Sequence, residues 1–153
     1  MDKNNLKETS RIIDQNWSEM NITYEKFAKT FNLSHTSMTI LDTIQNKQPL
    51  TQKDICSTLF LPKQTVNVII NDFLKKGYLT LKECKKDKRN KEILFTKEGQ
   101  IFASKVLNSL NEVESKTLKC IPEGHLDICL ETIIKYRENL EKFINDNDEK
   151  ELK

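Results

Sequence analysis

Residues 50–79 read LTQKDICSTLFLPKQTVNVIINDFLKKGYL, and this run decides the fold. Val66, Ile69, Ile70, Phe73 and Leu74 fall at i, i+3, i+4, i+7 and i+8, which predicts one apolar stripe along an amphipathic helix. Pro62 stands where that helix starts, since a residue of the first turn has no use for its N–H. Gly77, following two lysines, reads as the C-terminal stop. Upstream, Thr51 with Asp54 three residues on resembles a capping box with the shorter acid, opening a short helix that turns Ile55 and Leu59 inward. Two helices joined by a tight turn result. The second presents outward Lys63, Gln64, Thr65, Asn67, Val68 and Asn71, a mostly hydrogen-bonding set without an acid.

Beyond Gly77 the period changes to two, with Tyr78, Leu79 and Leu81 in one extended run and Ile93, Leu94 and Phe95 in another. Between them lies KECKKDKRNKE, too polar for anything but an exposed loop, so a hairpin with a basic tip is expected. Before residue 50, Ser34 caps a helix carrying Met38, Leu41 and Ile44, and residues 46–49 read as a turn. Earlier still, Ile13, Trp17, Met20, Tyr24, Phe27 and Phe31 lie at steps of 4, 3, 4, 3 and 4 on a long first helix, which Asn32 breaks. After the hairpin, Thr96 caps another long helix with Phe102, Val106, Leu110, Val113, Thr117 and Ile121 as its buried stripe, interrupted at Pro122 and Gly124. A last helix carries Leu126, Cys129, Ile133, Tyr136, Leu140 and Phe143 and frays into NDNDEKELK. The fold class is mainly α with one small β-hairpin.

The net charge of +2 hides an asymmetry. Residues 62–91 hold nine Lys/Arg against three Asp/Glu, a local +6, while residues 1–61 balance at seven each and residues 92–153 hold nine against thirteen. A basic stripe confined to one segment is a footprint for a polyanion, a solvated lysine-rich loop being the plainer alternative. A length of 153 residues suits one domain, and 31% charged residues with three glycines and three prolines favour long helices over a β-sandwich. No apolar run approaches the roughly 20 residues of a membrane span. The opening MDKNNLKETSRII has no apolar core behind its lysines, so a cytoplasmic protein without membrane association is expected. Cys56, Cys84, Cys120 and Cys129 form no C-x-x-C pair, and His35 and His125 are the only histidines beside them, so no metal or cofactor is expected and the thiols are read as reduced.

The order helix, helix, short helix, tight turn, helix and basic hairpin is the layout of a winged helix-turn-helix. B-DNA's major groove, about 12 Å wide, admits one α-helix, and short polar side chains near its N-terminus reach base edges. Lys63, Gln64, Thr65, Asn67 and Asn71 offer such side chains. Lys85, Lys86, Lys88, Arg89 and Lys91 at the hairpin tip suit the phosphate backbone, with one residue entering the minor groove.

Over residues 33–100 the runs LSHTSMTILDTI, LTQKDICSTLFLPKQTVNVIINDFLKKGYL and KKDKRNKEILFTKEG resemble the MarR family of transcriptional regulators. The D-K-R followed by L-F-T-K-E-G is similar to that family's wing motif D-x-R and its closing L-T-x-x-G. The resemblance implies a single domain over 1–153, with a winged helix-turn-helix at 33–100 flanked by N- and C-terminal dimerisation helices at 1–31 and 101–146. It further implies a homodimer on a pseudo-palindromic double-stranded operator, Arg89 in the minor groove with Asp87 orienting it, and repression relieved by a small organic effector. Two positions depart from the family habit: Val68 stands where members often have a basic residue, and Leu81 where they often have an arginine. Arg11 and Arg137 lie outside the reading segment, which leaves Arg89 as its one arginine.

An aromatic stripe at helical spacing needs no ligand to explain it, so core or dimer packing is the first reading of Trp17, Tyr24 and Phe27. The family's effector pocket, between dimerisation helices and reading lobe, makes the same three the effector-binding candidates. A thiol-based redox sensor is an alternative regulator. No cysteine precedes Cys56, which removes the family's peroxide-sensing position in the first helix, and Cys84 beside the cationic wing is the thiol best placed for a lowered pKa. An enzyme is not expected, because the chain lacks a Ser/His/Asp order and a phosphate-binding glycine loop. A winged helix used for protein contacts is the remaining rival, and it has no need of +6 across thirty residues.

Overall fold

The computed structural model describes residues 2–83 and 90–151. They divide into two compact units, residues 1–109 and residues 110–153.

The first unit opens on α1 (Lys3–Lys29), whose C-terminal turns bury Ala28 and half-bury Tyr24 and Phe27. Asn32 takes a left-handed φ of 56°, and the Leu33 N–H donates 3.1 Å to the Ala28 carbonyl, which reverses the chain. The Ser34 hydroxyl accepts the Ser37 N–H at 3.1 Å and so caps α2 (His35–Lys47), as its place before the apolar run predicts. This helix buries Met38, Ile40, Leu41, Thr43 and Ile44 and runs through Lys47, so the turn expected from residue 46 begins later. Leu50 then forms a short antiparallel bridge to Ile93, the Ile93 N–H donating 2.8 Å to its carbonyl.

Next comes α3 (Gln52–Leu59), opened by the capping box: Asp54 N–H donates 3.3 Å to the Thr51 hydroxyl, and the Asp54 carboxylate accepts Thr51 N–H at 2.7 Å. The Thr51 N–H and, next in effect, the Thr51 hydroxyl, which donates to the same carboxylate at 2.8 Å, hold the Asp54 carboxyl below its ordinary value. Phe60 ends the helix at φ 52°, 92% exposed, and the Leu61 N–H returns to the Cys56 carbonyl at 3.2 Å to close the turn. Pro62 precedes α4 (Lys63–Lys75) as its extended N-cap rather than as its first helical residue. Val66, Ile70 and Phe73 are fully buried, each worth roughly 1.5–3 kcal/mol relative to exposure.

Gly77, at φ 72°, lets the chain leave α4 for β1 (Leu79–Glu83), which pairs antiparallel with β2 (Lys91–Phe95) in a register that sets Leu79 opposite Phe95 and Leu81 opposite Ile93. The Thr96 side chain accepts Gly99 N–H at 2.9 Å as the cap of α5 (Lys97–Lys119) and donates 2.7 Å to the Gly77 carbonyl. Tyr78 stacks on Phe102, rings 4.4 Å apart at 11°. The N-terminus of α5, the end of α4 and the start of the hairpin therefore meet at one junction.

The second unit holds the end of α5 and α6 (His125–Glu151). The stripe expected to be buried along α5 is buried only in its first half: Phe102 and Leu110 are half-buried and Val106 buried, whereas Val113 and Ile121 are exposed. Ile133, Tyr136, Leu140 and Phe143 of α6 are exposed as well, because two helix segments within one unit offer each other too little apolar surface. The helix α6 runs through residue 145, where the tail was expected to begin, to Glu151.

Candidate nucleic-acid interface

The capping box fixes where α3 begins, the αL turn at Phe60 fixes how α4 leaves it, and the buried stripe of α4 fixes which of its faces is free. On that face Lys63, Gln64, Asn67, Val68 and Asn71 are exposed and Thr65 is half-buried. The first turn of α4 carries no acid and no side-chain cap, so the N–H groups of its first residues and the positive end of its dipole are open to an incoming anion. The Asn71 amide donates 3.3 Å to the Asn67 side-chain oxygen one turn earlier, which aligns the two amides along the helix. Asp72, the acid of α4, pairs with Lys76 at 2.7 Å near the helix C-terminus.

Beside the start of α4 lies a cleft of about 500 Å³ lined by Gln52, Lys53, Cys56, Lys63, Leu81, Asn90 and Lys91. These residues come from the N-terminal half of α3, the first turn of α4 and both arms of the hairpin. Among the described residues the lining consists of lysines, amides, Leu81 and Cys56, without a carboxylate. None of the ion pairs among the described residues involves Lys53, Lys63 or Lys91. Three ammonium groups around one concavity suit an anion such as a backbone phosphate.

Of the residues singled out from sequence, Lys63, Gln64, Thr65, Asn67 and Asn71 are together on α4, and Lys63 also lines the cleft. Lys85, Lys86, Asp87, Lys88 and Arg89, together with Cys84, lie outside the described residues. Lys91, expected among the cations of the hairpin tip, lines the cleft; Gln52, Lys53 and Asn90 were not expected here, and the available signals were the capping box, which places residues 52 and 53 at a helix start, and the hairpin register. The three effector candidates are elsewhere: none lines the cleft. Trp17 is 45% exposed on α1, Tyr24 stacks on His35 at 5.0 Å and 11°, and Phe27 tilts against Phe31 at 5.5 Å. Among the described residues no three His, Cys, Asp or Glu side chains converge as metal ligands, and no helix is long and apolar enough to cross a membrane. Cys56 is half-buried in the cleft wall, while Cys120 and Cys129 are exposed in the second unit.

Comparison with known proteins gives one family. The family model MarR_2, described as MarR family, matches residues 31–90. The HTH-type transcriptional regulator SarZ of Staphylococcus aureus is 28% identical over 95 residues, which is 58% of this chain, and the match spans 64% of SarZ. The crystal structure of the transcription regulator MarR from Oenococcus oeni PSU-1 is 25% identical and superposes with a TM-score of 0.65 over 86% of this chain and 98% of that one. The S. aureus MepR–DNA complex shares the fold with a TM-score of 0.73 at 19% identity, over 86% of this chain and 97% of MepR.

Proposed function

We propose that this chain, whose residues 31–90 match the MarR family model, is a MarR-family, sequence-specific, double-stranded-DNA-binding transcriptional regulator. The observation that carries the proposal is the outer face of α4 over residues 63–71, which holds no acid, with its open N-terminus beside the cleft that Lys53, Lys63 and Lys91 line. In this reading α4 enters the major groove, where Lys63, Gln64, Thr65, Asn67 and Asn71 meet bases and adjacent phosphates. Lys53 and Lys91 hold a phosphate from the flank, and Lys85, Lys86, Lys88 and Arg89 follow the backbone beyond it, Asp87 orienting Arg89 at the minor groove. Such a protein acts by binding and not by catalysis, in the cytoplasm, and represses until a small organic molecule favours the geometry that releases DNA. Trp17, Tyr24 and Phe27 remain the side chains assigned to that molecule.

The working form is a homodimer built on α1, α5 and α6. The exposed apolar residues of α6, among them Ile128, Ile133, Leu140 and Phe143, together with Leu6, Ile12 and Trp17 of α1, support this reading, since patches of this kind mark contact surfaces. Light scattering at micromolar concentration should return about twice 17.9 kDa. Two-fold symmetry then calls for half-sites one helical turn, about 10 bp, apart.

A gel shift against genomic fragments, repeated at several salt concentrations, tests the function. Retention of a subset of fragments with affinity falling steeply in salt supports it; equal retention of none, with capture only of protein partners, leaves the winged helix as a protein-contact module.

A further inference from the structure

We infer that Val68 is a specificity-determining residue that recognises the C5-methyl group of thymine, or of 5-methylcytosine, in the major groove; this rests on the DNA-binding reading above. The side chain is 61% exposed, on the opposite side of α4 from the buried Val66–Ile70–Phe73 stripe. A single exposed valine is ordinary on a protein surface. Its surroundings are what set this one apart. Gln64 lies one turn before it, Asn71 and Asp72 about one turn after it and Asn67 beside it, all exposed, with the Asp72 carboxylate held by Lys76 at 2.7 Å, so Val68 is the one apolar member of the face assigned to the bases.

Valine has no hydrogen-bonding group and no charge. It therefore adds nothing to phosphate binding, and its contribution depends wholly on what it meets. Along the major-groove floor of unmodified DNA the apolar feature is the thymine methyl, while guanine, adenine and cytosine present acceptors and donors that valine would strip of water without replacing. The β-branch strengthens the case. In a helix valine holds one χ1 rotamer about nine times in ten, so its two methyls are already fixed in direction before DNA arrives. A lysine or arginine at this position would seek guanine O6 and N7 or a phosphate; valine prefers no base except one that offers a methyl.

The test uses the full chain and duplexes that the protein itself enriches from a randomised library. Each thymine of the enriched duplex is replaced in turn by deoxyuridine, which removes one methyl and keeps the base pair. Losing a buried methyl-sized group should raise Kd about fourfold per half-site, and about fifteenfold when both symmetry-related positions change. With Val68→Ala that penalty should vanish at this position alone, and with Val68→Thr, which keeps the branch and one methyl, part of it should remain. Placing 5-methylcytosine at the position should bind better than cytosine for wild type and equally for Val68→Ala. Identical deoxyuridine profiles for wild type and Val68→Ala would overturn the inference while leaving DNA binding intact. Failure to enrich any duplex would instead overturn the DNA-binding reading, and this inference with it. Circular dichroism guards against misfolding, and alanine at an exposed helical site favours the helix.

Discussion

Gly99→Ala should be among the most damaging single-methyl additions in the first unit, and the structure says why. A Cβ built on Gly99 would lie 2.6 Å from the Tyr78 carbonyl carbon, 2.9 Å from its Cα and nearer still to its oxygen. These are backbone atoms, so no side chain can swing aside, and α5 must retreat from the hairpin. That retreat strains three interactions at the junction: the Thr96 hydroxyl to the Gly77 carbonyl at 2.7 Å, Thr96 N–H to the Tyr78 carbonyl at 3.1 Å, and the Tyr78–Phe102 stack at 4.4 Å. Two hydrogen bonds at about 1 kcal/mol each and a ring pair at about 1 kcal/mol give roughly 3 kcal/mol. Alanine's better helix propensity returns up to about 1 kcal/mol, so the net loss is roughly 2–3 kcal/mol. In a chain of this size that lowers Tm by about 4–12 °C. Gly77→Ala is the matched control: nothing lies within 4 Å of its added methyl, and only the left-handed φ of 72° opposes it, at about 1–2 kcal/mol. Both variants would be measured by urea and thermal denaturation against wild type. If Gly99→Ala proves within about 0.5 kcal/mol of wild type, or Gly77→Ala is the worse of the two, the close approach is not what fixes this junction.

Thr51→Ala should lose about 1 kcal/mol of stability by removing the cap of α3. Asp54 has a folded pKa below its ordinary 3.8, so its contribution is complete above that value and disappears as pH falls through the folded one; acid titration of wild type should be steeper below pH 3.8 than that of Asp54→Asn. Lys53→Gln or Lys91→Gln should weaken binding to every DNA sequence alike and flatten the salt dependence by about one unit of slope, whereas Gln64→Ala or Asn67→Ala should cost roughly 1–3 kcal/mol of discrimination with the slope unchanged. Arg89→Lys keeps the charge but is more strongly hydrated, so its loss of affinity should be larger on operators with A·T-rich flanks than on G·C-rich ones; equal losses would make Arg89 one more phosphate contact.

The parts of the fold that repeat locally were legible in the sequence. The α4 stripe, the Thr51–Asp54 box, the Ser34 and Thr96 caps and the stop at Gly77 each rest on residues within one or two turns of each other. What escaped depends on distant residues. The bridge of Leu50 to Ile93 involves one residue on each side and leaves no periodic trace. The Tyr24–His35 stack joins two helices whose register no local pattern encodes. The cleft draws Lys53 from α3, Lys63 from α4 and Lys91 from β2, so its three charges converge only after the hairpin has folded back. Burial along the second half of α5 departs from expectation for a related reason: spacing reveals that a stripe is apolar and is silent on whether its cover belongs to the same chain.

The joint between α1 and α2 has a mechanical consequence. The Glu25 carboxylate takes the His35 N–H at 2.7 Å, the Tyr24 ring lies flat on the His35 ring, and Leu33 is bonded back to Ala28, so three ties clamp the end of α1 to the start of α2. Beyond that clamp α1 extends from Thr23 back to Lys3 for about 30 Å, at 1.5 Å per residue. The helix is thus a pointer with its pivot at the start of α2. Displacing the tip by 1 Å turns the pivot by only about 2°, given that length. A contact that holds the tip even loosely sets the inclination of the clamped end finely, and a change of several ångströms at the tip is needed before the lobe's angle alters by more than a few degrees.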